Sequence, residues 1–333
     1  MTFLFACDII LQDKKASRKR EAFLLKFLQN GLKMKNKSLF GSIILLITSI
    51  IWGVAFVFQR TGMDSIEPIT FNAVRMGAGA TFVIIICIVK DILARKKTAS
   101  NTENNKISIK STILGGLGCG LFLSAASIVQ QIGLVYTSAG KAGFITAMYM
   151  LFVPIINLVL FKKRGTARLW VAVALGIAGT YLLCVKEDFS FTEGDILILA
   201  CALLFSGHIL WCDKFAPQSD PLKFSAIQFV TATLISTVFA FALETPTIEK
   251  IISAAIPILY CGVVSGGIGY TLQIIGQRHT DPTAASIIMS LEAVFAAIAG
   301  ALMLNEKMSI NEFIGCIIMF AAIILIQIPE KNK

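Results

Sequence analysis

Long apolar runs alternate with short polar segments between residues 39 and 328. The runs at 39–58, 111–136 and 251–277 contain no charged residue. A helix needs about 17–25 mostly apolar residues to cross the hydrocarbon core of a bilayer. Helices of a soluble core are not apolar on every side over such lengths. The pattern therefore predicts an all-α integral membrane protein.

The pattern predicts ten transmembrane helices joined mostly by short connections, so that neighbouring helices are antiparallel. Helices and closed barrels are the structures that satisfy all backbone groups in lipid, and runs of this length exclude barrel strands. The predicted spans are residues 39–58, 67–89, 111–135, 142–161, 168–185, 195–212, 222–243, 253–276, 281–303 and 311–328.

The basic residues show which way these spans are oriented. Of the 30 Lys and Arg residues, 24 fall in the two terminal segments and in alternate loops, which together form what we call the basic face. Five fall on the opposite face, and Arg75 lies within a span. Cytoplasmic loops of membrane proteins are enriched in Lys and Arg. We therefore expect both termini in the cytoplasm, a location in the cell membrane and contact with lipid. The net charge of +10 is a topology signal and does not indicate a nucleic-acid partner.

The N-terminal segment at 1–38 is predicted to be a cytoplasmic extension, and 329–333 a cytoplasmic tail. Two interpretations of the extension remain. It is either an amphipathic segment on anionic lipid or the product of a start codon assigned too early. Met34 is the alternative start, because Met34-Lys-Asn-Lys leads directly into the first span.

An internal repeat divides the spans into two sets of five, at 39–185 and 194–328. An offset of 143 places Gly133 on Gly276 and runs without a gap to residue 321. Further upstream the offset is 153, which places Pro68 on Pro221. Five is an odd number, so the two copies must have opposite orientations in the membrane. Inverted repeats of this kind are common in transporters, with the solute site near the midplane between them.

Charged side chains inside the spans are the first candidates for that site, because a charge at the bilayer centre costs at least about 2.5–3.5 kcal/mol. Arg75 shares its helix face with Asn72, Ala78 and Gly79, and Glu292 shares its face with alanines. Small residues favour helix packing, so both side chains should face the bundle. Each either binds solute or pairs with another polar group, and the sequence is compatible with a direct pair between them.

The other candidates each have a plainer interpretation. His208 could carry a proton or simply pack and hydrogen-bond, and Lys141 either lies at a cavity mouth or extends to the headgroups. Amides can bind a polar solute without a fixed charge, whereas aromatic rings line cavities or act as packing and interfacial residues. These amides and aromatics are Gln59, Gln130, Gln273, Trp52, Tyr149 and Trp211, and Phe56 and Tyr270 belong to the same aromatic set.

Several chemistries have no motif in the chain. The glycine clusters lack a GxxxxGK[ST] pattern, and the two histidines, His208 and His279, do not form HExxH. Ser206 precedes His208 by two positions, which do not face each other on a helix. The eight cysteines have no CxxC spacing and are expected to be small buried hydrophobes. We therefore predict no cofactor, no metal and no enzymatic activity.

The residues also resemble a known family. The segment 136–154 (YTSAGKAGFITAMYMLFVP) is similar to the fourth span of EamA-type proteins, which belong to the drug/metabolite transporter superfamily. The segment 290–297 (SLEAVFAA) resembles their ninth span, and Trp52, Gln59 and Arg75 resemble positions of the first two. The resemblance covers about residues 39–328 and implies a ten-helix carrier of small metabolites, often directed outward.

The leading hypothesis is therefore a secondary transporter that works by alternating access on a small-molecule substrate, as an exporter or exchanger. Proton coupling through Glu292 or His208 and uncoupled movement both remain open, as does the oligomeric state, a homodimer included. The alternatives are an intramembrane enzyme, and a channel or scaffold without carrier activity.

Overall fold

All ten apolar runs form helices in the computed structural model, which describes residues 37–96, 107–136, 139–184, 192–303 and 309–328. Residues 1–36, which include the alternative start, and the tail at 329–333 lie outside the described residues. No strand occurs within the described ranges. The helices are α1 Lys37–Gly62, α2 Pro68–Lys96, α3 Ile109–Tyr136, α4a Ala139–Thr146, α4b Tyr149–Phe161, α5 Ala167–Cys184, α6 Glu193–Phe215, α7 Pro221–Leu243, the segmented α8 (Ile248–Ser253, Ala255–Leu259, Tyr260–Tyr270 and Thr271–Gln277), α9a Pro282–Met289, α9b Glu292–Met303 and α10 Ile310–Gln327.

Eight helical stretches among the described residues are long and apolar enough to cross a membrane. The other two, α5 and α10, contain shorter apolar stretches at Ala167–Leu182 and Ile310–Ile326. Large apolar side chains cover the outside of the bundle, where Leu302 is 78% exposed and Ile310 80%. Exposed apolar surface of this kind is typical of contact with lipid. The chain is a multi-pass membrane protein, and the count of ten spans remains a prediction.

The helix starts follow from local sequence. Asp220 caps α7 by accepting hydrogen bonds from the backbone N–H groups of Leu222 and Lys223, at 3.0 and 3.1 Å. Asp281 caps α9a in the same way, and a proline takes the first position of both helices. Proline suits that position because the missing N–H would have no partner inside the helix. Capping boxes begin α6 and α10.

The fourth and ninth runs, predicted as continuous spans, are both interrupted. The breaks fall at Ala147–Met148 and at Ser290–Leu291. At each break the backbone bonds three residues back, as in Met150 N–H to the Ala147 carbonyl. The Ser290 hydroxyl also donates to the Ile287 carbonyl at 2.8 Å. This tighter turn separates a short first segment from a longer second one in both helices.

The eighth run differs from the prediction in its helix type. Its segment Tyr260–Tyr270 is a π-helix, a form that is rare at this length and is often found at functional sites. The segment is rich in glycine and lies against α2. A Cβ atom on Gly262 would lie 2.6 Å from the Arg75 carbonyl, and one on Gly79 would lie 2.8 Å from the Gly262 carbonyl. Glycine thus permits the close contact between α2 and α8.

The bundle core joins the first half of the chain to the second. Helix α3 packs against α6 and α7, α2 against α7 and α8, α1 against α8 and α9, and α5 against α10. A cluster of fully buried apolar residues lies at this junction, with Leu45, Met150 and Val153 from the first half and Ile209 and Ile287 from the second. A site between the two halves is therefore enclosed by helices of both.

Candidate functional site

A small cavity lined by apolar and polar side chains lies at the junction of the two halves. Its volume is about 50 Å³, which is room for a few water molecules on the scale of about 10–15 Å³ each. The cavity brings together eight of the ten side chains predicted as site residues. These are Trp52, Gln59, Arg75, Gln130, Tyr149, His208, Gln273 and Glu292. All the polar ones among them are less than a tenth exposed, so these side chains are largely shielded from solvent in this conformation.

Arg75 is held by neutral partners. Its Nε donates to Asn72 Oδ1 at 3.0 Å, and its Nη1 donates to Gln59 Oε1 at 3.2 Å. The guanidinium also lies 5.8 Å from the centre of the Phe71 ring. Among the described residues no acidic side chain lies within 4.0 Å of it. A guanidinium keeps its charge in proteins and has five N–H donors, so part of its hydrogen-bonding capacity remains available to the cavity.

Glu292 is the first residue of α9b, directly after the break in that helix. Its Oε1 accepts a hydrogen bond from the Tyr149 hydroxyl at 2.9 Å. Tyr149 is in turn the first residue of α4b, after the other break. The carboxylate and the guanidinium of Arg75 line one cavity, yet the described residues show no ion pair between them. An arginine and a carboxyl group that face one cavity without pairing with each other both remain available to a polar ligand.

Amide and imidazole groups complete the polar wall. Gln130 Nε2 donates to the Thr146 hydroxyl at 3.3 Å, while Gln273 Oε1 is buried without a hydrogen-bond partner. His208 Nε2 lies 3.2 Å from Gln228 Oε1. These groups can donate to or accept from a polar solute.

An aromatic wall faces the polar one. The rings of Trp52 and Tyr270 lie 4.7 Å apart, and Tyr270 makes edge contacts with His208 and Phe229, both at 5.7 Å. The Trp52 indole N–H donates to the Ser265 carbonyl at 3.2 Å, which fixes the ring against the π-helix. A mainly apolar cavity with a few convergent polar groups is typical of small-molecule sites.

Two predicted residues are not among those that line the cavity. Trp211 faces α3, where its indole N–H donates to the Leu114 carbonyl at 3.2 Å and its ring lies 5.8 Å from Lys214 Nζ. Lys141 belongs to α4a, but its side chain lies outside the described residues.

The sequence did not single out several residues that do line the cavity, including Thr146, Phe205, Phe229, Cys261 and Ser265. Small and apolar residues of this kind occur throughout the spans, so composition gives them no distinguishing signal. The π-helix decides which of its residues face the cavity, and no sequence pattern predicted it. Within the described ranges, no three His, Cys, Asp or Glu side chains are grouped so that they could hold a metal ion.

Comparison with known proteins identifies the same family in both halves of the chain. The model of the EamA-like transporter family matches residues 39–185 and again 192–328. An uncharacterized transporter of Archaeoglobus fulgidus is 28% identical over 292 residues, covering 88% of this chain and 87% of that protein. The uncharacterized transporter YoaV of Bacillus subtilis is 22% identical over 286 residues, with coverage of 84% and 94%.

Protein PagO of Salmonella typhimurium is 23% identical over 262 residues, covering 77% of this chain and 82% of that protein. A solved crystal structure matches the fold with a TM-score of 0.69 at 16% identity, covering 86% of this chain and 96% of that one. At this identity the match concerns the fold alone.

Proposed function

Because the chain belongs to the EamA-like transporter family, we propose that it is a secondary transporter of a small polar metabolite. It moves its solute across the cell membrane by alternating access, as an exporter or exchanger. The observation that carries this proposal is the cavity between the two halves, where Arg75 and Glu292 both line the wall and form no ion pair within the described residues. A cavity of about 50 Å³ is too small for a metabolite, so the halves must move apart to load it.

The proposed architecture is ten spans in two inverted repeats of five. The two separate matches to one family model support the duplication, and the odd number of spans in each copy requires the inversion. The uneven distribution of Lys and Arg supports cytoplasmic termini. A cysteine in place of Arg164, in the loop after α4b, should react with a membrane-impermeant thiol reagent only from the cytoplasmic side. One in place of Glu249, at the start of α8, should react only from outside, and the reverse pattern would contradict this orientation.

The charges in the cavity indicate what the solute carries. Arg75 is held by amide oxygens and retains donors for an anionic group, which guanidinium binds well. Glu292 offers a carboxylate oxygen to a proton or to a positively charged group of the solute. The amides of Gln130 and Gln273 supply neutral hydrogen bonds, and the aromatic wall supplies apolar contact. We therefore expect a metabolite with at least one anionic group.

A flux assay in proteoliposomes tests the function. A panel of metabolites is offered with and without a pH gradient, to the wild type and to the variants Arg75→Ala and Glu292→Gln. Both variants should insert normally and lose flux. Trp211→Phe is the control, because Trp211 lies outside the cavity, and it should transport like the wild type. Unchanged kinetics in Arg75→Ala and Glu292→Gln would remove these residues from the site.

The purified protein used for the flux assay also distinguishes a transporter from a channel and from an enzyme. Large unitary currents in a planar bilayer would show a channel instead of a carrier. Chemical modification of a lipid or solute would show an enzyme. The geometry gives no support to a serine nucleophile, since the Ser206 hydroxyl donates to the Ala202 carbonyl at 2.8 Å and not to His208.

A further inference from the structure

Polar residues of the cavity fall into pairs related by the internal repeat. Tyr149 and Glu292 are 143 positions apart, and so are Gln130 and Gln273. All four line the cavity. The breaks in α4 and α9 are related by the same offset. The hydrogen bond between Tyr149 and Glu292 therefore joins two repeat-related positions, as expected at the axis between two copies.

The upstream offset of 153 relates α2 to α7 and places Arg75 on Gln228. Each is seven positions beyond the proline that begins its helix. Arg75 donates to Gln59 of α1 at 3.2 Å, and Gln228 Oε1 lies 3.2 Å from His208 Nε2 of α6. Thus α2 is hydrogen-bonded to α1 and α7 to α6, in each case through the side chain at the same position of the repeat.

A neighbouring pair of contacts supports this correspondence. Asn72 of α2 donates to the Ser127 hydroxyl of α3 at 3.1 Å. The hydroxyl of Ser225, the position of α7 that matches Asn72, is hydrogen-bonded to the Thr271 hydroxyl of α8 at 2.8 Å. The second helix of each half is therefore bonded to the third as well.

The two halves differ in what reaches the cavity. Arg75 and Gln59 both line it, whereas on the other side His208 does and Gln228 lies behind it. His208 Nδ1 and Gln228 Nε2 are buried and have no hydrogen-bond partner, in side chains that are 1% and 0% exposed. A buried polar atom without a partner costs about 1–3 kcal/mol. Gln228 Nε2 is a donor without an acceptor, whereas His208 Nδ1 is an acceptor when the neutral ring donates from Nε2 to Gln228 Oε1. The unpartnered amide nitrogen of Gln228 therefore indicates a contact that this conformation does not make.

We propose that Gln228, held by His208, forms a second half-site for the anionic group of the solute, used when the carrier is open to the basic face. Arg75 and Gln59 hold that group when the carrier is open to the opposite face. This inference rests on the proposed transport function and its inverted repeats. When the carrier changes state, each repeat adopts the conformation of the other, so α6 and α7 take the arrangement that α1 and α2 have here. Gln228 then reaches the cavity wall, where its unpartnered Nε2 donates to the anionic group while His208 holds Oε1.

Cysteine accessibility tests the half-site in vesicles of each orientation. Gln228→Cys, Gln59→Cys and the control Ala232→Cys, one turn along α7 and fully buried, are exposed to sulfonatoethyl methanethiosulfonate. Mass spectrometry of the modified residue separates each new thiol from the native cysteines. Gln228→Cys should be modified from the basic face, Gln59→Cys from the opposite face, and Ala232→Cys from neither. If Gln228→Cys fails to insert, His208→Cys replaces it with the same expectation.

Protection of Gln228→Cys from both faces, or its modification from the same face as Gln59→Cys, would overturn the proposal. The chemical class is tested by comparing the sulfonate reagent with the cationic trimethylammonioethyl reagent. In Gln228→Cys the His208 N–H that donates to Gln228 Oε1 is released. One hydrogen bond from it to the sulfonate should favour the anionic reagent about two- to tenfold, and His208→Phe should abolish the preference. Equal rates for the two reagents with His208 intact would refute an anion site. Failure of the transport proposal has a separate signature, namely no flux of any metabolite with the accessibility pattern intact.

Discussion

Tyr149→Phe is the most selective perturbation of the cavity that the structure suggests. The change removes one oxygen atom and leaves the ring, which is 3% exposed and belongs to the central apolar cluster. The lost atom is the donor of the 2.9 Å hydrogen bond to Glu292 Oε1. The described residues show no other hydrogen bond to that carboxyl group, so the substitution leaves its position without this support.

The expected loss follows from the strength of that bond. A hydrogen bond between neutral groups contributes about 0.5–1.5 kcal/mol, and about 1.4 kcal/mol corresponds to a factor of ten. The ratio of maximal flux to KM should therefore fall about two- to tenfold per folded molecule. Tyr260→Phe is the matched control, since its hydroxyl donates to the Ile51 carbonyl at 3.3 Å and the residue does not line the cavity. It should transport like the wild type.

The assay is solute flux in proteoliposomes, normalised to folded protein and measured well below the unfolding temperature. A double-mutant cycle with Glu292→Gln separates a role in transport from a role in packing. If Tyr149 acts through Glu292, its substitution should add little in the Glu292→Gln background, because contacting residues that act together are not additive. Additive losses in the double variant, or an equal loss in Tyr260→Phe, would refute the reasoning.

Three further predictions concern packing, capping and pH. Gly53→Ala should lower the free energy of unfolding by about 1–3 kcal/mol, because its Cβ would lie 2.4 Å from a side-chain carbon of α9b. Gly143→Ala should leave that free energy unchanged, because no atom lies within 4 Å of the added Cβ. Thermal unfolding in detergent distinguishes the two variants, and equal stability of both would contradict the packing. Asp220→Ala should destabilise the protein by about 1 kcal/mol through loss of the α7 cap, whereas Asp220→Asn keeps the cap. Similar melting temperatures for the two variants would show that the cap is unimportant. The hydrogen bond from Lys250 holds the pKa of Glu67 below its usual 4.5. This pair therefore stabilises the fold above that pH, and its contribution disappears as the pH falls through the lowered pKa. Lys250→Met should abolish that part of the acid dependence of unfolding, and an unchanged loss of stability at acid pH would exclude the pair as its cause.

The parts of this fold that follow from sequence are those that the solvent dictates. A bilayer accepts only long apolar helices, so every apolar run marks a helix within a few residues. The cost of a charge in lipid selected Arg75 and Glu292, and the structure places both at one cavity. Trp211 shows the limit of this reasoning, because an aromatic ring in a membrane helix can pack against a neighbouring helix as well as line a cavity.

The features that sequence did not predict depend on contacts between distant segments. The breaks at Ala147–Met148 and Ser290–Leu291 occur inside runs that are apolar throughout, so hydropathy carries no signal of them. The π-helix at Tyr260–Tyr270 is stabilised by close contact with α2, where Gly79 and Gly262 approach each other. Only the packed bundle determines which face of that segment is directed to the cavity.

The separation of Arg75 from Glu292 has a physical consequence for a carrier. Two opposite charges about 4 Å apart attract by about 4 kcal/mol at the effective dielectric constant near a protein surface, and more strongly when buried. Such a pair would join α2 to α9 across the two halves, and a solute would have to break it before either charge could bind. Neutral partners avoid this, because Gln59 and Asn72 hold the guanidinium while Tyr149 holds the carboxylate. Each hydrogen bond keeps its group in place without an ion pair between the two halves, so both groups remain available to the solute.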